Sequence, residues 1–277
     1  MNPTFYPCIW FDGQAQEACN FYCSIFPGSQ KPSDNGMVTI FEIAGTRFMA
    51  LNGGPAWKPT PAVSYYFYTG NETLLKKYYD ALSDGGQVLM PLGRYDWSPA
   101  YAWVIDRFGV SWQMDMDDLP TTQKIVPSLL FVNEKQALVK EAMTLYASIF
   151  PDSRSLLEAP YPPGSATAEG MLLFAQYRIN GNLMNAMSSV IRHDFDFSPG
   201  NSFVVLCDTQ EAIDQYWHAL GHDGQFEKCG WLRDKFGVSW QIVPSILPSL
   251  MADPTKRERV MAAFLSMSKF EIDKLMV

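Results

Sequence analysis

Arg107-Phe-Gly-Val-Ser-Trp-Gln113 returns 128 positions later as Lys235-Phe-Gly-Val-Ser-Trp-Gln241. Two further landmarks recur in the same order. Tyr22-Cys-Ser-Ile-Phe-Pro-Gly-Ser29 returns as Tyr146-Ala-Ser-Ile-Phe-Pro-Asp-Ser153, offset by 124, and Pro7-Cys-Ile-Trp-Phe11 as Pro127-Ser-Leu-Leu-Phe131, offset by 120. Three ordered matches imply one ancestral domain used twice, so fold and function are read from a pair of similar units. The drift in offset locates the insertions. About four residues were added to the first helix of the second copy, with more between Pro151 and Ser202, and about ten, from Met90 to Ala100, occur only in the first copy.

Composition sets the outer limits. A chain of 277 residues is expected to form roughly two domains, which agrees with the duplication. Hydrophobic residues at 47% and charged residues at 18% supply an ample core for a globular protein. No apolar run approaches the ~20 residues of a membrane span. Met1-Asn-Pro-Thr4 lacks the basic and hydrophobic regions of a signal peptide. A net charge of −8 argues against nucleic acid and anionic membranes as partners. Five cysteines (Cys8, Cys19, Cys23, Cys207, Cys229) without paired spacing suit buried thiols in a reducing cytoplasm.

Within the first copy the pattern predicts a strand at 7–11, a helix at 15–26 ended by Pro27-Gly28, and a hairpin over 37–43 and 47–51. A second unit follows: a strand at 63–68, a helix at 72–82, and strands at 87–92, 102–105 and 111–116. The second copy repeats the order with strand 127–132, helix 135–150, hairpin 170–179/182–187 turning at Asn180-Gly181, strand 202–207 and helix 211–220. Residues 252–277 have no counterpart in the first copy. There Val260, Met261, Phe264, Leu265 and Met267 predict a helix packed back onto the body.

These motifs, Ile9-Trp-Phe-Asp-Gly13, Ala18-Cys-Asn-Phe-Tyr22, Ser24-Ile-Phe-Pro27, Trp103 to Gln113, Ser148-Ile-Phe-Pro151 and Trp231 to Gln241, resemble the vicinal oxygen chelate superfamily, most closely its PhnB-like branch. The tail Ser268-Lys-Phe-Glu-Ile-Asp-Lys-Leu275 is similar to the usual ending of that branch. The resemblance implies an α+β fold of tandem vicinal-oxygen-chelate domains. Each would hold two βαβββ modules whose sheets curve into a half-barrel around a small-molecule cleft. The expected boundaries are 1–118 for the first domain, 119–124 for a linker, 125–251 for the second domain and 252–277 for a C-terminal helical tail. The duplication would place a pseudo-dimer in one chain; whether that pairs again as a homodimer stays open. Some branch members carry a 3-demethylubiquinone 3-methyltransferase label. Methyl transfer needs a sulfonium nucleotide site, usually a Gly-rich loop after a parallel strand. Gly53-Gly54 and Gly85-Gly86 sit instead in hairpin or helix-end contexts.

Enzymes of the superfamily hold a divalent metal with four side chains. Carried over, those positions fall on Pro7 and Pro127, near Ser64 and Ser202, on Gln113 and Gln241, and near 50–52 and 186–188. With no carboxylate or imidazole among them, no metal and no other cofactor is expected. His218 and His222 have zinc-compatible spacing, but their first-copy equivalents are Asp80 and Asp84, as on a solvated helix end. For His193 a surface histidine is preferred over a general base in the second cleft. Asp106 and Asp234 are read as turn caps. Cys19 and Cys23 align with Met143 and Ala147, which favours burial over thiol chemistry.

The ligand-binding candidates are Gln113, Ser64, Ser111, Trp97 and Trp57 in the first copy, and Gln241, Ser202 and Ser239 in the second. Strand alternation puts Ser111 and Gln113 on one face, where an amide either orients a ligand or ties neighbouring strands. Trp57 and Trp97 either wall a cleft or cover exposed core. The functional expectation is a cytoplasmic small-molecule-binding protein or degenerate enzyme without the superfamily metal. A metal-dependent lyase, isomerase or oxygenase is the first alternative, and an assembly module without ligand the second. No catalytic constellation is legible.

Overall fold

A computed structural model describes residues 4–26, 28–119 and 121–276. The helix stop read at Pro27, Pro120 of the linker and the N-terminal Met1 to Pro3 lie outside the described residues. Four strand–helix–three-strand modules follow one another. The first holds β1 (Thr4–Phe11), α1 (Ala15–Ile25), β2 (Gln30–Asp34), β3 (Val38–Ile43) and β4 (Thr46–Asn52). The second holds β5 (Val63–Tyr68), α2 (Glu72–Ser83), β6 (Gln87–Tyr95), β7 (Ser98–Ile105) and β8 (Ser111–Asp115). In the third, β9 (Ile125–Phe131) leads through a 3₁₀ segment at Asn133–Leu138 into α3 (Val139–Ile149), then β10 (Arg154–Pro160), β11 (Leu172–Ile179) and β12 (Asn182–Ser188). The fourth holds β13 (Asn201–Cys207), α4 (Gln210–Gly221), β14 (Gln225–Phe226), β15 (Trp231–Arg233) and β16 (Ser239–Pro244).

Three edge strands, β2, β10 and β14, were not legible in the sequence. Their residues are mostly exposed, so they lack the apolar alternation that marks a half-buried strand. The helix expected at 135–150 begins as 3₁₀. The extra residues of the second copy lie in that 3₁₀ turn, after the left-handed Asn133 (φ 54°).

The modules do not pair as the copies would suggest. One eight-stranded sheet runs β14-β15-β16-β13-β1-β4-β3-β2, and the other β10-β11-β12-β9-β5-β8-β7-β6. Each sheet therefore joins the first module of one copy to the second module of the other, through β1–β13 and β5–β9. The cleft expected inside each copy is instead composite. Copy one supplies half of both sheets.

The helices cover one face of each sheet, and that side forms one continuous core. The recurring motifs lie there. Asp106 accepts at one carboxylate oxygen from Phe108 and Val110 backbone N–H (2.8 and 3.0 Å), closing the turn, and at the other from Tyr22 Oη and Trp112 Nε1 (2.7 and 2.8 Å). Asp234 repeats this with Phe236, Val238, Tyr146 and Trp240. Because Tyr22 belongs to the first sheet's α1 and Asp106 to the second sheet's β7–β8 turn, each carboxylate pins one sheet's helix to the other sheet. Phe26 and Phe150 pack onto Trp112 and Trp240 at 5.4 and 5.7 Å between centroids.

The tail forms α5 (Leu247–Ala252), α6 (Arg257–Ser266) and α7 (Ile272–Leu275). Val260, Phe270 and Leu275 are fully buried, whereas Leu265 points outward at 55% exposure, against the expectation that it packs inward. Gly230 (φ 78°) admits this docking: a Cβ there would meet the Phe270 ring at 2.5 Å and Ile242 O at 2.6 Å.

Candidate functional site

Opposite the helices, each sheet presents a concave face with its own smaller apolar cluster, and strand alternation decides what reaches it. On β1, Phe5, Ile9 and Phe11 join the helix-side core while Tyr6 and Cys8 join the concave cluster. Pro7 thus lies on the helix side of β1, and the residue facing the cleft is Cys8, with Ser128 at the equivalent place on β9. Likewise Ala50 and Ala186 are helix-side core, and the cleft-facing neighbours of Cys8 and Ser128 are Met49 and Asn185. The central row is therefore Met49, Cys8, Ser202, Gln241 on the first sheet and Asn185, Ser128, Ser64, Gln113 on the second.

On the second sheet the row lies beneath aromatic rings. Ser64, Tyr66 and Tyr68 alternate along β5 onto this face, joined by Tyr101, Trp103, Tyr95 and Phe174. Gln113 is fully buried; its Nε2 donates to Ser64 Oγ at 2.7 Å and its Oε1 accepts from the Tyr101 hydroxyl. Ser111 accepts from Trp103 Nε1 at 2.8 Å, and Asn185 donates to Tyr68 Oη at 2.8 Å. Ser128 Oγ, at the centre of the row, is buried without a hydrogen-bond partner among the described residues. Burial pushes the Tyr66, Tyr68 and Tyr101 phenols upward, so they remain neutral donors at physiological pH. It also raises the Asp115 carboxyl at the end of β8. Trp97, at the tip of the β6–β7 hairpin, stacks on Tyr95 at 5.0 Å and meets Tyr101 edge-on at 5.5 Å while staying 61% exposed.

The first sheet's face is aliphatic by comparison: Val38, Ile40, Met49, Leu51, Val204 and Leu206 surround Cys8. Gln241 Nε2 donates to Ser202 Oγ at 2.9 Å. Burial pushes the Cys8 thiol up to about 12 despite hydrogen bonds with Gln241 and Ser202, so it stays protonated. Ser239 Oγ is buried with no partner among the described residues, whereas its counterpart Ser111 takes the indole N–H of Trp103. Trp231, the counterpart of Trp103, instead packs edge-on against Trp10 at 5.8 Å.

The sequence candidates thus divide. Ser64, Ser111, Gln113 and Trp97 gather at the second sheet, and Ser202, Ser239 and Gln241 at the first. Trp57, 45% exposed, lies apart in the crossing loop between β4 and β5, where Lys58 O and Thr60 are held by Ser198, Asn201 and Asp196. His193 is fixed away from both rows. Its Nε2 lies 2.8 Å from Ser189 Oγ, its backbone bonds Asn133, and burial lowers its pKa. His222 pairs with Asp223 at the surface. Cys8, Ser128, Asn185 and the tyrosine trio were missed. The Ser64-Tyr65-Tyr66-Phe67-Tyr68 alternation carried a readable signal for the tyrosines.

The donor sets do not fit the superfamily's divalent metal. One row offers a thioether, a protonated thiol, a hydroxyl and an amide; the other offers two hydroxyls and two amides already bonded to tyrosines. A tight site needs several strong ligands (imidazole, thiolate or carboxylate), and neither row holds one. Among the described residues no group of three or more His, Cys, Asp or Glu side chains is placed to hold a metal. A nucleotide-cofactor loop does not fit either: a Cβ on Gly53 would enter the Trp10 ring at 2.1 Å and one on Gly86 would meet Ile105 O at 2.3 Å, so these glycines serve internal packing. Among the described residues no helix is long and apolar enough to cross a membrane.

Residues 3–115 and 123–243 match the family model described as 3-demethylubiquinone-9 3-methyltransferase. A PhnB protein from Bacillus cereus is 31% identical over 40% of this chain and 96% of its own, with a TM-score of 0.36. Glyoxalase I from Zea mays shares the fold across 91% of this chain and 97% of its own at a TM-score of 0.56, with 8% identity. No curated protein matches the chain. Four βαβββ modules in two exchanged sheets, matched twice by one family model, make the chain a tandem member of the vicinal oxygen chelate superfamily, in its PhnB-like branch.

Proposed function

We propose that the chain binds a small, neutral, planar molecule on the concave face of its second sheet, without a divalent metal. One observation carries this reading. The insertion at 90–100 belongs to copy one and the extra residues after Pro151 to copy two, yet both lengthen the outer hairpins of the same sheet. There the edge strands β6 and β10 have 9 and 7 residues; on the first sheet β14 and β2 have 2 and 5. Elaboration of one cleft from both halves of the sequence suits a ligand wall better than general stability.

Chemistry narrows the ligand. Aromatic rings supply flat contact area. The Tyr101 and Tyr66 hydroxyls already donate to Gln113 and Met187, which leaves Tyr68, Ser64 and Ser128 as the hydroxyl donors for a carbonyl or hydroxyl oxygen. Asp115 beside the tyrosines disfavours anions. Trp97, exposed and stacked, is the contact a ligand would reach first. Gln113 would act through Tyr101 and Ser64, which it holds. The superfamily's metal-dependent lyase, isomerase and oxygenase chemistry would need stronger metal ligands than the two rows supply, and methyl transfer a cofactor loop that Gly53 and Gly86 do not form.

The test is a fluorescence titration of the full chain with neutral aromatic carbonyl compounds, alongside metal analysis after dialysis against Mn, Fe, Ni and Zn. Saturable quenching that disappears in Trp97→Ala and survives in Trp57→Ala is expected, with near-zero retained metal. One firmly held ion per chain would restore the metal-dependent enzyme, and quenching indifferent to Trp97 would move the ligand elsewhere.

A further inference from the structure

A third concavity belongs to neither row. Where the two sheets abut, a groove of about 280 Å³ is lined by Phe5, Tyr6, Pro7, Glu42 and Arg47 from copy one and by Gln123, Pro127, Asn182 and Leu183 beyond it. Its walls are built from both halves of the chain. Gln123 is immobilised by Leu183, donating to its carbonyl at 3.0 Å and accepting from its N–H at 2.8 Å. Asn182 donates to Asn180 O at 3.1 Å.

One wall carries two charges. Arg47 lies with its guanidinium carbon 4.8 Å from the Tyr6 ring centroid, an arrangement that orients the fork without using its N–H donors. Glu42 stands directly opposite Arg47 in the β3–β4 ladder. Beyond the sheet ladder, among the described residues neither side chain forms an ion pair or hydrogen bond, with the other or with any other group. Both keep their full charge-pairing capacity at the edge of one groove.

Repeat comparison shows that the fold does not require this wall. Along the β11–β12 hairpin the counterparts of Glu42 and Arg47 are Arg178 and Leu183, 136 positions on, and the counterpart of Tyr6 on β9 is Val126. Leu183 lines the same groove from the other side, among the neutral Gln123, Pro127 and Asn182, so the seam is charged on one flank and uncharged on the other.

We propose that this seam binds a free apolar α-amino acid. Its carboxylate takes the Arg47 fork, its ammonium meets Glu42, and its side chain lies against Phe5, Pro7, Pro127 and Leu183. One cation and one anion on a single wall match a zwitterion; a simple carboxylate would leave Glu42 facing like charge. The site borders the aromatic face through Leu183 but includes neither Trp97 nor the Ser64–Gln113 pair.

The experiment is isothermal titration calorimetry of the full chain with L-leucine, N-acetyl-L-leucine and L-leucine methyl ester, repeated on Arg47→Met and Glu42→Gln. Leucine is expected to bind at one site per chain. Each blocked derivative and each variant should weaken binding about tenfold or more, the usual consequence of losing a charge-assisted pair. Trp97→Ala should leave leucine binding unchanged, which separates this site from the aromatic cleft. Circular dichroism checks that both variants fold; Arg47→Met keeps the apolar stem over Tyr6. No binding by about 10 mM leucine would overturn the proposal. So would equal affinity for N-acetyl-leucine, or binding unaffected by Glu42→Gln.

Discussion

The two concave faces share their ground plan and little else. Each has a Ser–Gln pair across two parallel strands, Ser64–Gln113 and Ser202–Gln241, with matching amide-to-hydroxyl bonds of 2.7 and 2.9 Å. On one face tyrosines crowd the pair beneath long hairpins; on the other, aliphatic residues surround a protonated thiol beneath stubs. The helix-side core shows the reverse. There Tyr–Asp–Trp clamps agree bond for bond. After duplication, the side that joins the sheets stayed constant while the sides that face solvent diverged, so identity between the copies marks structure and difference marks use.

The sharpest way to break that contrast is to remove each clamp. Asp106→Asn leaves four donors facing one amide that can accept at only one end, so its NH₂ must confront N–H or O–H groups. A loss of about 3–5 kcal/mol is expected, as for breaking a buried charged network, and Asp234→Asn should cost a similar amount in urea unfolding. A large inequality between the two would show that the halves are not mechanically equivalent.

The paired glutamines should separate. Gln113→Ala strands the Tyr101 hydroxyl and Ser64 inside a fully buried network and should cost about 2 kcal/mol; Gln241→Ala, whose partners are Ser202 and the weakly bonding Cys8 thiol, should cost about 1 kcal/mol. Equal losses would mean that the tyrosine layer adds nothing to the second face. Trp97→Ala should leave stability nearly unchanged, since the ring is mostly exposed, yet weaken aromatic-ligand binding about tenfold.

Much of this was legible beforehand. The duplication, most elements, the turn-capping aspartates and the tail followed from repeats, periodicity and turn residues. The exchange of modules between sheets was not, because β1 is equally apolar whether it pairs with β5 or β13, and nothing in Pro7 to Phe11 names its partner. Separately, the superfamily position carried over by resemblance fell on Pro7, whereas Cys8 faces the cleft, and a one-residue shift in a strand swaps the faces. Trp57 and Trp97 looked alike as loop tryptophans. Only the fold puts one on the aromatic cleft and the other on a crossing loop.

The smallest effect concerns pH and tests what the clamps share. Burial raises the folded pKa of Asp106 and Asp234, and four donors to each carboxylate oppose that rise. A carboxyl whose folded pKa exceeds its unfolded value, about 3.9, contributes stability that is full below the unfolded value and is lost as pH rises through the folded one. Asp34 and Glu158 act oppositely, because hydrogen bonds lower them, so total stability against pH mixes both signs. The difference between wild type and Asp106→Asn cancels those shared contributions. That difference in melting temperature should widen as pH falls from about 7 toward about 4.5. The same widening should accompany Asp234→Asn. A difference that narrows instead would mean that the tyrosine, indole and two backbone donors outweigh burial. The carboxylates would then be held ionised, and acid would open both clamps together.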